Sequence, residues 1–196
     1  MKNATPSGAP SAAPHPIFGL QRPRAELAWT MPGGRIETET IALGERDGRP
    51  CVRLSAAAIV AKGAARLAVT PDFGHAEKGE EGWWFSPYGH YGEWDRDEGS
   101  FLADDDRMNM PMFGWATPRG AFLAVLTSLK CYPKLQVVAE GGRYAVSCVL
   151  DGELCTEPYE DFEIVYHAFP AGTPYAALCR RYRECQLSSG AVKPLR

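Results

Sequence analysis

The sequence lacks any apolar run of the roughly 18 residues that a membrane-crossing helix needs. It also lacks an excess of either charge: 21 Lys and Arg stand against 24 Asp and Glu, for a net charge of -3. The basic residues are scattered or gathered near the C-terminus, which argues against nucleic acid as a partner. The opening MKNATPSGAPSAAPHPIFGL places Pro, Gly and Ser where a secretory signal carries a continuous apolar core. A soluble, cytoplasmic chain with no membrane partner is therefore expected. Six cysteines (Cys51, Cys131, Cys148, Cys155, Cys179 and Cys185) include no CxxC pair and no compact framework, so they read as reduced thiols, mostly small core residues. GxSxG, HExxH, P-loop and dinucleotide fingerprints are absent, which weakens the hydrolase, zinc-protease and nucleotide-enzyme classes.

What is there is enough for one globular domain. At 196 residues and 45% hydrophobic, the chain can bury about 70% of its unfolded surface. Residues 1–23, rich in Ala, Pro, Ser and Gly, read as a disordered leader with little apolar surface to offset ordering entropy. Residues 24–172 read as a β domain, and 173–196 as a helix with a tail.

Strand candidates fall at 35–43, 51–54, 66–70 and 83–85, separated by turn residues. Residues 55–62 (SAAAIVAK) stay open, because Ala favours helix while Ile59 and Val60 favour strand. The continuous apolar run at 120–127 predicts a strand covered on both faces, at the centre of the fold. Alternation predicts half-buried strands at 143–150, with Tyr144, Val146, Cys148 and Leu150 on one face, and at 160–169, with Phe162, Ile164, Tyr166 and Ala168 on one face. Gly141-Gly142 and Asp151-Gly152 read as hairpin turns. Many strands, tight turns and one late helix predict an antiparallel β-sandwich rather than a parallel α/β sheet.

The C-terminal helix should start with Thr173 at the N-cap and Pro174 in the first turn. Tyr175, Leu178, Tyr182 and Cys185 form its apolar stripe, and Ser188-Ser189-Gly190 ends it with Gly190 as the cap. Cys179 and Cys185 fall on different sides of this helix and cannot pair.

Chemistry concentrates in residues 80–115, which hold four of the five tryptophans among acids and glycines. Flat apolar rings beside fixed polar groups suit a carbohydrate ligand. Trp84, Tyr88, His90, Tyr91 and Trp94 are the candidate sugar contacts, with Arg107 and Asn109 as hydroxyl-binding neighbours. The structural alternative for Trp83, Trp84 and Trp115 is packing between sheets. Asp104, Asp105 and Asp106, with Asp95, Asp97 and Glu98, offer oxygen ligands to calcium, but the EF-hand alternation is missing and a solvated acidic loop is the better reading. No cofactor is expected. His90 and His167 titrate in the range of acid-base catalysis. His167 lies on the face opposite Phe162 and Ile164, where a structural histidine is the simpler reading.

Three segments together resemble one family: EGWWFSPYGHYG through Gly82, Trp83, Pro87 and Gly89; MPMFGWATPRGAFLAVL through Pro111, Phe113, Gly114 and residues 120–122; and PYAALCRRYRECQLSSGAVKPL through Tyr175, Tyr182, Arg183, Leu187, Gly190, Lys193 and Leu195. They look like the N-terminal, galactose mutarotase-like β-sandwich of large bacterial glycoside hydrolases, which precedes a catalytic (β/α)8 barrel. The third segment resembles the helix that leads into the barrel. The aromatic loop is one residue longer than the Gly-x-Gly spacing of that group, and the 196 residues hold no counterpart of the barrel.

In such a family the catalytic carboxylates belong to the barrel. The resemblance therefore implies a non-catalytic supporting domain associated with carbohydrate, docking a barrel or another partner along its C-terminal helix. Two rivals remain at this point. One is a stand-alone sugar mutarotase or epimerase, using His90 or His167 with a carboxylate such as Glu163; the other is a structural module whose helix stripe docks a protein.

Overall fold

The computed structural model describes residues 22–86, 91–94, 101–103, 111–126, 134–151 and 161–189. In chain order the elements are β1 (Arg24–Thr30), β2 (Ile36–Ala42), β3 (Gly44–Arg46), β4 (Arg49–Leu54), α1 (Ala56–Lys62), β5 (Arg66–Pro71), β6 (Ala76–Glu77), β7 (Trp83–Phe85), β8 (Tyr91–Glu93), β9 (Phe101–Ala103), β10 (Met112–Thr117), β11 (Gly120–Leu126), β12 (Lys134–Glu140), β13 (Arg143–Asp151), β14 (Phe162–Phe169) and α2 (Tyr175–Ser188).

The strands form two antiparallel sheets of seven. Sheet A runs β2-β1-β5-β13-β12-β9, with β6 beside β13, and sheet B runs β3-β4-β14-β11-β10-β7-β8. The run of apolar residues predicted to be central is β11, the middle strand of sheet B, buried at every position. Both sheets feed one core: Leu27, Leu67, Val69, Leu135, Tyr144 and Val146 of sheet A meet Val52, Phe113, Trp115, Phe122, Phe162 and Tyr166 of sheet B. The faces predicted for β13 and β14 point into it. The Gly141-Gly142 turn joins β12 to β13 with φ of 59° and 81°, a conformation that glycine adopts without a Cβ clash.

The open segment resolves as helix over Ala56–Lys62. Ser55 caps α1 by accepting the Ala58 amide at 3.1 Å, and Ile59 is the side chain that α1 buries.

A second, smaller apolar cluster lies on the outward face of sheet B. Phe85, Met112, Ala121, Leu123 and Val125 pack there under α2, whose Leu178 is fully buried. Gly114 makes this docking possible, because a Cβ there would run into the Phe85 ring and stand 2.9 Å from Leu178 Cδ2. Tyr175 adds an edge-on contact with Phe85 at 4.5 Å between ring centroids, yet stays 46% exposed.

Three expectations are corrected in detail. The helix begins one residue later than Thr173 predicted: Pro174 is its N-cap, and the Thr173 hydroxyl donates to Pro170 O at 2.7 Å rather than accepting a helix amide. Its C-cap is Ser189, and Gly190 lies outside the described residues. β14 is not half-buried; residues 162–167 are buried on both faces, because α2 and the β3–β4 hairpin cover the outward side. The expected leader lies outside the described residues up to 21, and so does Gly152 of the second predicted turn.

Candidate functional site

The aromatic candidates divide between the core and residues whose structure is not described. Trp84, on β7, is 8% exposed and belongs to the main core; its indole fills the space left by Gly92 across the β7–β8 pair. Trp94 is 4% exposed, and its Nε1 donates to Ala116 O at 2.6 Å. Both rings are thus packed by protein, and the expectation that they offer open faces to a sugar is corrected. The polarity of their neighbours misled that reading, since a β7–β8 ribbon two or three residues wide places an inward tryptophan directly beside exposed Glu93. Tyr91 occupies β8. Tyr88, His90, Arg107 and Asn109 lie outside the described residues, as do the acidic calcium candidates Asp95, Asp97, Glu98, Asp104, Asp105 and Asp106.

His167 and Glu163 share the outward face of β14. Four residues along a strand separates them by about 13 Å, and each is already engaged. Glu163 pairs with Arg46 and, at 3.5 Å, with Arg53. His167 Nδ1 accepts from Arg181 Nε at 3.2 Å, and its Nε2 stands 3.7 Å from Cys185 Sγ. Burial, joined by the charges of Arg49 and Arg181, pulls the His167 pKa down to about 4. The imidazole is neutral at pH 7, with its remaining proton on Nε2. The proposed shuttle between His167 and Glu163 is not assembled.

The outward face of sheet A holds a feature that the sequence reading missed. A groove of about 600 Å³ crosses β1, β5, β13 and β12, lined by residues that include Glu26, Arg66, His75, Gln136, Glu140 and Arg143. Strand alternation places the strand residues among these outward, while Leu27, Leu67, Leu135 and Tyr144 point to the core; His75 comes from the connection between β5 and β6. Ala28 of β1 pairs with Ala68 of β5, and these small side chains lie among the groove's polar ones. Arg66 Nη2 donates to Gln136 Oε1 at 2.8 Å, reaching across β13, and the Thr70 and Ser147 hydroxyls meet at 2.7 Å.

Three buried side-chain polar atoms among the described residues have no hydrogen-bond partner: Arg66 Nε, His75 Nδ1 and Tyr166 Oη. Arg66 and His75 are both lining residues of this groove, although these two atoms lie beneath its surface and the His75 ring also meets the Asp72 backbone. An unpaired buried donor or acceptor costs about 1–3 kcal/mol, so the polar groups beside this groove are not fully satisfied by the protein itself. Burial and the nearby Arg143 charge push the His75 pKa down, so its imidazole is uncharged at neutral pH. Two acids, Glu26 and Glu140, then balance two arginines, Arg66 and Arg143.

No family model matches this chain, and no curated protein matches it. Among the described residues there is no group of three or more His, Cys, Asp or Glu arranged to hold a metal ion. No helix among them is long and apolar enough to cross a membrane. Cys51, Cys148, Cys179 and Cys185 are free thiols.

Local sequence signals for the groove were faint. Its residues come from positions 26 to 147, and each strand contributes only alternate side chains. The usable hint was the alternation of Arg66, Ala68 and Thr70 opposite Leu67 and Val69.

Proposed function

We propose that this chain is a carbohydrate-binding β-sandwich of galactose mutarotase-like class, acting as a non-catalytic supporting domain of a glycoside hydrolase-like protein, with the outward face of sheet A as its ligand face. The observation that carries the reading is one open groove lined by the polar side chains of Glu26, Arg66, Thr70, His75, Gln136 and Ser147, with Arg66 Nε left unpaired just beneath it. A polyhydroxylated ligand supplies hydroxyls that both donate and accept, and so satisfies an arginine N–H and an imidazole nitrogen at once. The even balance of acids and arginines suits a neutral sugar. Ala28 and Ala68 leave room for a pyranose ring to approach the sheet.

The resemblance of the three sequence segments supports the same class. Burial of the Trp84 and Trp94 rings moves the expected ligand contact away from them and onto the sheet. The partner that the resemblance implies, a (β/α)8 barrel, would meet α2, where Tyr175 and Leu187 remain exposed at 46% and 36%. The mutarotase alternative draws no support from His167 and Glu163, which are separated and engaged elsewhere.

Calorimetric titration with a panel of neutral oligosaccharides tests the reading. At least one sugar should bind saturably, and Arg66→Ala should weaken it by about tenfold or more, the loss expected for a hydrogen bond to a charged donor. Trp84→Phe should leave affinity unchanged. Absence of any saturable sugar binding, or binding untouched by Arg66→Ala, would overturn it.

A further inference from the structure

A second pocket, of about 380 Å³, lies where the β3–β4 hairpin, β14 and the last turns of α2 meet. It lies by sheet B, apart from the groove. Its lining includes Arg46, Arg49, Arg181, His167, Ser188 and Ser189.

The hairpin sets up an electrostatic conflict. Asp47 and Gly48, at φ of 51° and 71°, form a two-residue turn of the primed kind, which places Arg46 and Arg49 directly opposite each other. Like charges opposed across a strand pair are unfavourable. Glu163 neutralises one of them, Arg46. Arg49 makes only a long 3.4 Å contact to Asp47 O and has no carboxylate partner among the described residues. Arg181 reaches the pocket from α2; its Nη1 meets Glu184 at 3.0 Å, and its Nε is held by the His167 ring.

We propose that this pocket binds a small oxyanion, the phosphoryl or carboxylate group of a soluble ligand, between the Arg49 and Arg181 guanidiniums. Guanidinium forks match oxyanions in geometry as well as charge. The neutral His167 imidazole, fixed by Arg181 as the Nε2–H tautomer, adds no charge and holds Arg181 in place. The C-terminal carbonyls of α2 oppose an anion. Two of them are already covered, because the Ser188 hydroxyl donates to Cys185 O at 3.0 Å and the Ser189 hydroxyl to Gln186 O at 3.1 Å. Asp47 is the one acid lining the pocket among the described residues; Glu163 and Glu184, outside the lining, pair with Arg46 and Arg181, so Arg49 is the arginine left without a carboxylate among those residues.

The full chain serves for the test. The His167 imidazole resonances are followed by NMR while inorganic phosphate, and separately acetate, is added at constant ionic strength. Phosphate should shift them saturably, and its bound charge should move His167 protonation up from about 4 by offsetting Arg49 and Arg181. Arg49→Gln, on a partly exposed strand position, should weaken binding about tenfold, and Arg181→Gln should do the same. Saturation by phosphate alone assigns phosphoryl chemistry, and saturation by acetate as well assigns oxyanions in general. Failure of both anions to saturate the shift, or an undiminished response in Arg49→Gln, would overturn the proposal.

Discussion

The outward faces of the two sheets are built by the same strand alternation and end in opposite states. Sheet B turns Phe85, Met112, Leu123 and Val125 outward, and α2 covers them. Sheet A turns Glu26, Arg66, Thr70, Gln136 and Ser147 outward, and among the described residues no helix covers them. Apolar side chains on an exposed face demand a cover, whereas polar ones are stable in water and free to exchange it for a ligand. The difference follows from composition: one face is held under a helix, and the other stays polar and open to water.

The largest test of this contrast is Leu178→Ala. Removing the side chain that seats α2 should cost about 2–5 kcal/mol in urea unfolding. Hydrogen exchange should show α2 and the outer side of β10 and β11 losing protection while the sheet A amides keep theirs. A uniform loss across both sheets would mean that the covered face is not separable from the core.

The next effect is a pH dependence in which His167, on the sheet B side, has the largest part, and His75 by sheet A acts in the same direction. The folded-state pKa of His167, about 4, lies below its ordinary value of 6.5. Protonation therefore favours the unfolded chain: the stability held above pH 6.5 is lost progressively as pH falls toward 4, by about 3 kcal/mol. His167→Gln should make the stability profile shallower in that window, leaving the smaller slope due to His75. The smallest effect belongs to sheet A: Thr70→Val breaks the hydroxyl pair with Ser147, should cost about 1 kcal/mol by thermal melting, and should leave α2 untouched.

Much of the scaffold could be read from the chain because its signals are local. The run at 120–126 has no polar residue to turn toward water, and it became the central strand. Tyr144, Val146, Cys148 and Leu150 alternate cleanly, and they line the core. Where the reading failed, a distant partner decided. Residue alternation in β14 looked half-exposed, but Arg46, 117 residues from Glu163, and Arg181 of α2 close over its other face. Ile59 tipped an ambiguous segment to helix by entering the core. Trp84 and Trp94 sit in a polar stretch, and only the pairing of β7 with β8 and β10 shows that their rings point inward. The groove was illegible for the same reason, since no window of sequence brings Glu26, Arg66 and Gln136 together.

Strand order has a consequence for the time at which this chain acquires its fold. β5 pairs with β13 at the middle of sheet A, and β4 pairs with β14 in sheet B. Neither sheet can be completed until its late strand has arrived, so a growing chain emerging from the ribosome can pair β1 with β2 and β5, β3 with β4, and β7 with β8, but cannot yet join these pieces across β13 and β14. Contacts this distant in sequence slow the search for the native state. Until β13 and β14 appear, the apolar edges of β5 and β11 lack their neighbours, and that interval is when this protein is most exposed to pairing with the wrong strand.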